Sequence, residues 1–216
     1  AELVDAFVEG TGVTEEEVLD IDEEAFRADR LASKLYGYLL VPDVGRFLQM
    51  GKQASSLSAS TEENKRDIAA SIVEDMDAET LYLLGPGTTV RAIADELGVS
   101  KTLLGVDAIF AGELVGADLN ERGILDLLSQ YDQRKIVVTP LGGNGFIFGR
   151  GNKQFTPEVI RRVGREHIIV VSTEDKARDL RCLRVDTGDR DTDELLAGYM
   201  QVATGYRLAR VMKVAC

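Results

Sequence analysis

Tryptophan is absent from the 216 residues, and histidine, cysteine and proline are scarce, with one, two and four copies. One histidine, His167, cannot build a histidine-rich metal site, and we expect it to be an ordinary strand-edge residue. Cys182 and Cys216 form no C-x-x-C motif, which argues against a disulfide framework and fits a reducing compartment. No apolar run approaches the roughly 18–20 residues that span a bilayer. We therefore expect a cytoplasmic protein without a membrane partner.

Basic residues are also few. The chain has 25 Lys and Arg against 37 Asp and Glu, a formal net charge of −12. Nonspecific binding to nucleic acid needs a basic surface that neutralises phosphates, so this composition argues against a nucleic-acid partner. An anionic ligand would have to be bound locally, by backbone N–H groups and a few well-placed cations.

Candidate strands and helices alternate in the middle of the chain, which is typical of parallel βαβ units. The candidate strands are 81–84, 103–106 and 136–138, and the candidate helices are 90–97 and 120–128. Another helix is expected after residue 60, where Ser60 and Glu63 form a capping box. Residues 60–135 are therefore expected to form a βαβ layer.

The two ends of the chain are richer in strands. Residues 18–22 and 35–41 have strand-like patterns, and the pattern is mostly strand after residue 166. We expect residues 13–42 to pair with residues 166–214, so that mostly antiparallel strands from both ends frame the central layer. The predicted fold class is therefore α/β (α+β).

The segment from Thr139 to Asn152 is the strongest local signal for a ligand. It has five glycines in ten residues directly after a strand, and it leads into a helix start at Thr156-Pro157. Glycine permits close approach of a ligand to the backbone, and successive N–H groups can converge on an anion. The candidate binding residues are Thr139, Gly142, Gly143, Asn144, Gly145, Gly149, Arg150, Gly151 and Asn152. The alternative is a glycine-rich hairpin that binds nothing.

A second glycine-containing turn, Gly85-Pro86-Gly87-Thr88-Thr89, lies between a candidate strand and a candidate helix. Free N–H groups and hydroxyls at a helix N-terminus suit phosphate, so Gly85, Gly87, Thr88 and Thr89 form a secondary candidate phosphate site. The spacing and lysine of a Walker A loop are missing. The alternative is a tight strand-to-helix turn with a threonine cap.

Acidic residues follow several candidate strands. Asn120-Glu121 opens a helix, and Asp107, Asp186 and Asp189 follow strands. Such groups could accept hydrogen bonds from ribose hydroxyls or associate with Mg²⁺. Helix capping by Asn120 and ordinary Asp-rich turns are the alternatives, and no firm metal site emerges. No activated nucleophile is evident either.

Five strings of the sequence share a pattern with one known family. They are Leu81 to Thr89 (LYLLGPGTT), Thr102 to Asp107 (TLLGVD), Asp118 to Glu121 (DLNE), Val138 to Asn152 (VTPLGGNGFIFGRGN) and Val185 to Asp189 (VDTGD). Together they resemble the archaeal-type ATP-NAD kinase-like family, which includes the X protein of acetoin catabolism. The resemblance covers nearly the whole chain, and its most specific part is the long glycine segment.

The resemblance implies synthesis of NADP, in which ATP or polyphosphate, with Mg²⁺, phosphorylates the 2′-hydroxyl of NAD. In NAD kinases an Asn-Glu pair contacts the dinucleotide, and Asn120-Glu121 resembles that pair. Thr139-Pro140 with the following glycines resembles the family's nucleotide-binding segment. NAD kinase-like proteins are usually homo-oligomers, so self-association is expected too.

One element of the family pattern is missing. The Gly-Gly-Asp-Gly-Thr loop, which carries the catalytic Asp in an N-terminal domain, does not occur, and the nearest string has Asn144 and Phe146 at the Asp and Thr positions. The catalytic residues are therefore unknown. The chain also starts with Ala1 inside an amphipathic pattern. We expect residues 1–12 to be a helix left over from an upstream domain and residues 13–216 to be a C-terminal nucleotide-binding domain.

The leading functional hypothesis is thus the nucleotide-binding part of an NAD kinase-type phosphotransferase that is inactive without its other domain. Two alternatives remain open. One is an enzyme that binds a sugar phosphate, such as an isomerase or a sugar kinase. The other is a non-catalytic domain that binds nucleotide and regulates a partner.

Overall fold

The computed structural model describes residues 13–21, 33–42 and 59–214. The chain divides into two compact units, Ala1–Leu57 and Ser58–Cys216. In the first unit, strand β1 (Val13–Ile21) pairs antiparallel with strand β2 (Ser33–Pro42), with a register irregularity after Val18. The helix expected over residues 1–12 lies outside the described residues.

The second unit alternates helices with strands. Its helices are α1 (Ala59–Glu74), α2 (Thr88–Glu96), α3 (Glu121–Leu128), α4 (Pro157–Val163), α5 (Glu174–Asp179) and α6 (Arg190–Leu196). Its strands are β3 (Thr80–Leu84), β4 (Asp107–Phe110), β5 (Glu113–Gly116), β6 (Gln133–Val138), β7 (Phe146–Phe148), β8 (Ile168–Val171), β9 (Arg184–Val185), β10 (Gly198–Gly205) and β11 (Leu208–Val214). Short 3₁₀ turns lie at Gly142–Asn144 and Arg165–His167.

A seven-stranded sheet with the order β11-β10-β8-β6-β3-β4-β5 is the centre of this unit. The four middle strands, β10, β8, β6 and β3, are parallel. Antiparallel hairpins complete the two edges, β10-β11 on one side and β4-β5 beyond β3 on the other. Because parallel neighbours need crossover connections, the helices lie on the faces of the sheet.

Both faces of the sheet are covered, which explains why the middle strands are continuously apolar. On one face, Leu84 and Val137 pack in a cluster with Ile68 of α1 and Ile93 of α2. The other face belongs to a second cluster, in which Leu83, Ile136 and Val138 join residues of α3, α4 and α6. Each fully buried side chain of this size contributes about 1.5–3 kcal/mol. The result is a three-layer α/β/α arrangement.

A separate two-stranded parallel sheet, β7-β9, lies beside the main one. Its strands approach so closely that glycine is required: Gly149 has a φ of +93°, and a Cβ there would lie 1.7 Å from the Asp186 carbonyl oxygen. A Cβ at Gly145, with a φ of +78°, would lie 2.7 Å from the Cys182 carbonyl oxygen. Gly145 and Gly149 therefore have a packing role in the long segment.

The α/β fold class is confirmed, but two details of the prediction are wrong. The described strands of residues 13–42 pair with each other, and those of residues 166–214 join the main sheet or pair with β7, so the predicted pairing between the two ends is absent from the described residues. The apolar run 103–106 is a largely buried loop with Leu104 exposed, rather than a strand, and the neighbouring strand is β4, antiparallel to β3. Helices α5 and α6 were also missed, because six and seven residues are too short to show periodicity.

Replacing Gly149 with alanine should destabilise the protein more than replacing Gly188. Both glycines have a positive φ, +93° and +80°, but a Cβ at Gly188 meets nothing within 4 Å. The difference between Gly149→Ala and Gly188→Ala therefore isolates the clash with Asp186. We expect it to be about 2 kcal/mol or more in urea unfolding. Equal midpoints for the two variants would contradict the close β7-β9 contact.

Candidate functional site

The carboxyl ends of the parallel strands share one edge of the main sheet. Strand β3 leads into Gly85-Pro86-Gly87, β6 into Thr139-Pro140 and β8 into Ser172-Thr173. Open α/β sheets bind their ligands at this edge, because loops and helix N-termini converge there. We call it the carboxyl edge, and the two glycine-containing signals of the sequence both lie on it.

At the carboxyl edge the turn after β3 is anchored by its backbone. The N–H of Gly85 donates to the Val137 carbonyl at 2.9 Å, and the N–H of Gly87 donates to the Leu103 carbonyl at 3.1 Å. Gly87 is the N-cap of α2 and has a φ of +117°. It provides no capping side chain, so the first turn of α2 presents N–H groups to the edge, where anions are favoured. Thr88 is exposed and Thr89 is buried.

Thr139 lies directly against this helix start. A Cβ at Gly87 would be 2.6 Å from Cγ2 of Thr139, so glycine is needed for the Thr139 side chain to lie this close to the α2 N-cap. Thr139 is 4% exposed, and its hydroxyl is one of the buried side-chain atoms that have no hydrogen-bond partner within the described part of the chain. An unpaired buried hydroxyl is costly, and most such groups in native proteins are satisfied. The hydroxyl is therefore a candidate donor to a ligand at the carboxyl edge.

The glycines of the segment after Thr139 fall into two groups, those packed against neighbouring atoms and those exposed to solvent. Gly145, Gly149 and Gly151 each have a positive φ and a close neighbour, which for Gly151 is the Leu141 side chain. Gly142 and Gly143 are exposed, and a Cβ at either would meet nothing within 4 Å. The exposed N-terminal part of the segment is therefore the part whose backbone a ligand could approach.

The polar residues of the same segment have mainly structural contacts. Nδ2 of Asn152 donates to the buried Ile147 carbonyl at 2.8 Å, while its Oδ1 is a second buried atom without a partner in the described residues. Arg150 stacks over the Phe146 ring at 4.5 Å and pairs with Asp186 at 3.3 Å. Asn144 is exposed at the end of the 3₁₀ turn. A ligand role for these residues remains a prediction.

The Asn-Glu pair begins α3. Asn120 is the N-cap, and its Oδ1 accepts a hydrogen bond from the Gly123 N–H at 3.0 Å. Oε1 of Glu121 accepts from the Thr156 hydroxyl at 2.6 Å, which joins the starts of α3 and α4. Both residues are exposed. The structure thus gives the pair a capping and bridging role, and contact with a nucleotide stays a prediction.

Asp107 is the centre of a saturated buried cluster. Its side chain and that of Lys101 are each 1% exposed and pair at 3.3 Å. The carboxylate also accepts from the Thr102 N–H at 2.8 Å, the Thr102 hydroxyl and the Asp118 N–H at 2.7 Å. These bonds fold the 101–118 loop, and they occupy the lone pairs that a metal ion would need.

Asp186 and Asp189 are ordinary surface partners. Asp186 pairs with Arg150, and Asp189 is the N-cap of α6. Hydrogen bonds from the Thr192 side chain and backbone, with Arg161 nearby, hold the pKa of Asp189 below its usual value. No group of three or more His, Cys, Asp or Glu within the described ranges could hold a metal ion. The structure therefore does not gather the three predicted acidic residues into a Mg²⁺ site.

Two lysines at the carboxyl edge were missed by the sequence analysis. The side chain of Asn64 bridges two elements: its Nδ2 donates to the Thr204 carbonyl at 2.8 Å, and its Oδ1 accepts from the Glu174 N–H at 2.9 Å. This bridge brings the next residue of α1, Lys65, towards Lys176 on the first turns of α5. Only Lys65 gave a usable signal, because it lies on the apolar stripe of α1 where a charge is unexpected.

The lysines occupy a poorly solvated position. Lys65 is 6% exposed and pairs with Glu62 at 2.7 Å. Nζ of Lys176 donates to the Pro140 carbonyl, the residue next to Thr139. Burial, together with the charge of Lys65, lowers the pKa of Lys176 to about 8. Desolvation and a like charge both disfavour the ammonium form, so this part of the edge has an excess of positive charge.

The fold and this edge define an α/β protein with an anion-compatible site at the ends of parallel strands. The sequence model of the family described as ATP-NAD kinase C-terminal domain matches residues 77–214. Because that match covers more than half of the chain, the chain belongs to this kinase-type family. Comparison with curated proteins and with solved structures found no match. In the described residues no helix is long and apolar enough to cross a membrane.

The family match confirms the resemblance at the level of ATP-NAD kinases. The residues predicted for the site, from Gly85 to Asp189, lie inside the matched range. The archaeal type and the relation to the acetoin-catabolism protein remain predictions. Lys65 lies outside the matched range, whereas Lys176 lies inside it.

Replacing Asp107 with alanine should strongly destabilise the protein. The change leaves the buried Lys101 ammonium without its carboxylate and removes the acceptor of two backbone N–H groups, a loss of about 3–5 kcal/mol. Asp186→Ala is the matched control, because it breaks an exposed pair worth about 1 kcal/mol or less. Urea unfolding measures both. A similar small effect for the two variants would show that Asp107 is not a structural centre.

Proposed function

We propose that this chain is the nucleotide-binding domain of an NAD kinase-type phosphotransferase. In this reaction ATP or polyphosphate would phosphorylate the 2′-hydroxyl of NAD. The domain would contribute the binding surface, and the catalytic Asp would come from a different part of the protein. The expected cytoplasmic location and self-association belong to the same proposal.

One observation supports the proposal best. The uncapped start of α2, the unpaired hydroxyl of Thr139 and the exposed backbone of Gly142 and Gly143 all lie at the carboxyl edge of a domain from the ATP-NAD kinase family. Nucleotides combine phosphates, which favour helix N-termini, with ribose hydroxyls, which favour polar side chains. The edge offers both kinds of group.

The residues of this chain would bind and position the substrate. The α2 N-terminus would hold phosphate oxygens, and Asn120 and Glu121 would accept hydrogen bonds from ribose. Holding the acceptor hydroxyl close to a donor phosphate lowers the barrier by positioning, which is the main protein contribution in phosphoryl transfer. Mg²⁺ bound to ATP would supply charge neutralisation at the transferred phosphate.

The proposal is tested by calorimetric titration with NAD, NADP, ATP and a sugar phosphate. Gly143→Val places a branched side chain on the exposed segment, where the backbone φ is ordinary and the space is open, so the fold should be intact. We expect wild type to bind a nucleotide and the variant to bind it at least about tenfold more weakly, because the side chain blocks close approach to the backbone.

Ala78→Val is the matched control, because it adds similar bulk to an exposed turn before β3, at the opposite edge of the sheet. It should bind like wild type. Binding of a sugar phosphate in preference to every nucleotide would overturn the proposal in favour of a sugar-phosphate enzyme. Tight nucleotide binding without turnover by the full-length protein would instead favour a regulatory domain.

A further inference from the structure

We propose that Lys65 and Lys176 form, with the Thr139 hydroxyl and the N-terminus of α2, a phosphate-binding site on the α1–α2 side of the carboxyl edge. The site would take a phosphate-bearing ligand. The identification of that ligand as a nucleotide rests on the proposed function. The affinity for phosphate does not, because it follows from the two lysines, the hydroxyl and the helix N-terminus.

Contiguous contacts connect the proposed groups. Lys176 donates to the carbonyl of Pro140, and Pro140 follows Thr139 in the chain. The Thr139 side chain lies against Gly87, the N-cap of α2. From the other side, the Asn64 bridge to Glu174 places Lys65 near Lys176. A continuous series of contacts therefore connects two ammonium groups, one hydroxyl-bearing side chain and one helix N-terminus from four different elements.

The charges at this place are not balanced by the protein. Glu62, whose side chain is 45% exposed, pairs with Lys65. Of the three carboxylates on the helix of Lys176, Glu174 pairs with Arg210 at 3.8 Å and Asp175 pairs with Arg178 at 3.3 Å, while Asp179 forms no ion pair within the described residues. Among the ion pairs of the described residues, Glu62 is the one carboxylate that pairs with either lysine, so one positive charge remains there. A bound phosphate would remove this excess and separate the like charges.

The Thr139 hydroxyl points independently to a ligand. It is buried and unpaired in the described residues, although the protein satisfies nearly all its other buried side-chain groups. The same side chain places its methyl group, Cγ2, against the N-cap of α2, so the hydroxyl lies within one residue of the N–H groups that would bind a ligand oxygen. Lysine and helix N-terminus together are a frequent combination in phosphate sites, because one supplies a point charge and the other directed donors.

Titration of Lys176 gives the site a characteristic pH dependence. Lys176 has a pKa of about 8, so its ammonium is present below that pH and lost above it. A bound anion stabilises the ammonium. Phosphate affinity should therefore be highest below pH 8 and fall as the pH rises. Inorganic pyrophosphate only gains negative charge over this interval, so weaker binding at high pH cannot come from the probe.

The test is calorimetric titration of the chain with inorganic pyrophosphate at constant ionic strength, near pH 7 and roughly pH 10. We expect wild type to bind near pH 7 and to bind about tenfold more weakly at the higher pH. Lys65→Met and Lys176→Met keep most of the side-chain volume but remove the charge. Each should weaken binding near pH 7 by about tenfold or more, and Lys176→Met should lose most of the pH dependence.

Lys213→Met is the matched control, because it removes one exposed lysine charge on β11. It should bind pyrophosphate like wild type and keep the pH dependence. Thermal melts test for misfolding, because Lys176→Met removes a like-charge repulsion but also the hydrogen bond to the Pro140 carbonyl. Thr139→Val, which replaces the hydroxyl by a methyl of the same shape, should also weaken pyrophosphate binding without lowering the melting temperature.

Parallel titrations with NAD and ATP separate this proposal from the proposed function. Loss of pyrophosphate binding in both lysine variants supports the site, and parallel loss of nucleotide binding identifies the ligand as a nucleotide. Pyrophosphate binding without any nucleotide binding would keep the site and overturn the proposed function. The site alone would be overturned if both lysine variants bound pyrophosphate like wild type while nucleotide binding was retained. It would also be overturned if the wild type did not bind pyrophosphate.

Discussion

The parallel pairing of β3, β6, β8 and β10 is the constraint on which the rest of the second unit depends. Parallel neighbours require crossovers, and crossovers place helices on both faces of the sheet. The same pairing brings four strand ends to one edge. Residues far apart in sequence, such as Asn64 and Thr204, therefore form direct hydrogen bonds there. The common direction of these strands therefore determines where the candidate site lies, and the individual side chains determine what it can bind.

The glycine-rich segment illustrates how packing and ligand binding share one stretch of chain. Gly145 and Gly149 permit contact with the backbone around residues 182–186, while Gly143 has no neighbour that would exclude a side chain. A glycine count alone cannot separate these roles, because positive φ, close packing and ligand access all select the same residue. In the structure the two roles can be distinguished, because a Cβ added at a packing glycine would clash with a neighbouring atom, whereas a Cβ added at Gly143 would not.

Much of the middle of the fold could be predicted from the sequence. The strands that begin at Thr80 and Gln133 and the helices that begin at Thr88 and Glu121 have clear apolar patterns and turn signals, and they occur close to where they were expected. The region around Leu103 was misjudged because a buried loop is as apolar as a strand. Its irregular path depends on the buried pair of Lys101 and Asp107, which no periodicity reveals.

The candidate site was predicted only in part. The turn at Gly87 and the residue Thr139 were identified from glycine and threonine after strands, a local signal. Lys65 and Lys176 are 111 positions apart, and the Asn64 bridge to α5 helps to bring them together. Contacts of this kind depend on the order of strands in the sheet, and strand order cannot be read from a local pattern.

The hairpins at the two edges of the main sheet also affect how the protein behaves at high concentration. An open sheet ends in a row of unpaired backbone groups, which can recruit a strand from a neighbouring molecule and begin a fibre. Here one outermost strand, β5, has only four residues and starts at Glu113. The other, β11, carries Arg210 and Lys213 among its apolar residues. Short length and charge at the margins keep the parallel strands in the interior from serving as a template for aggregation.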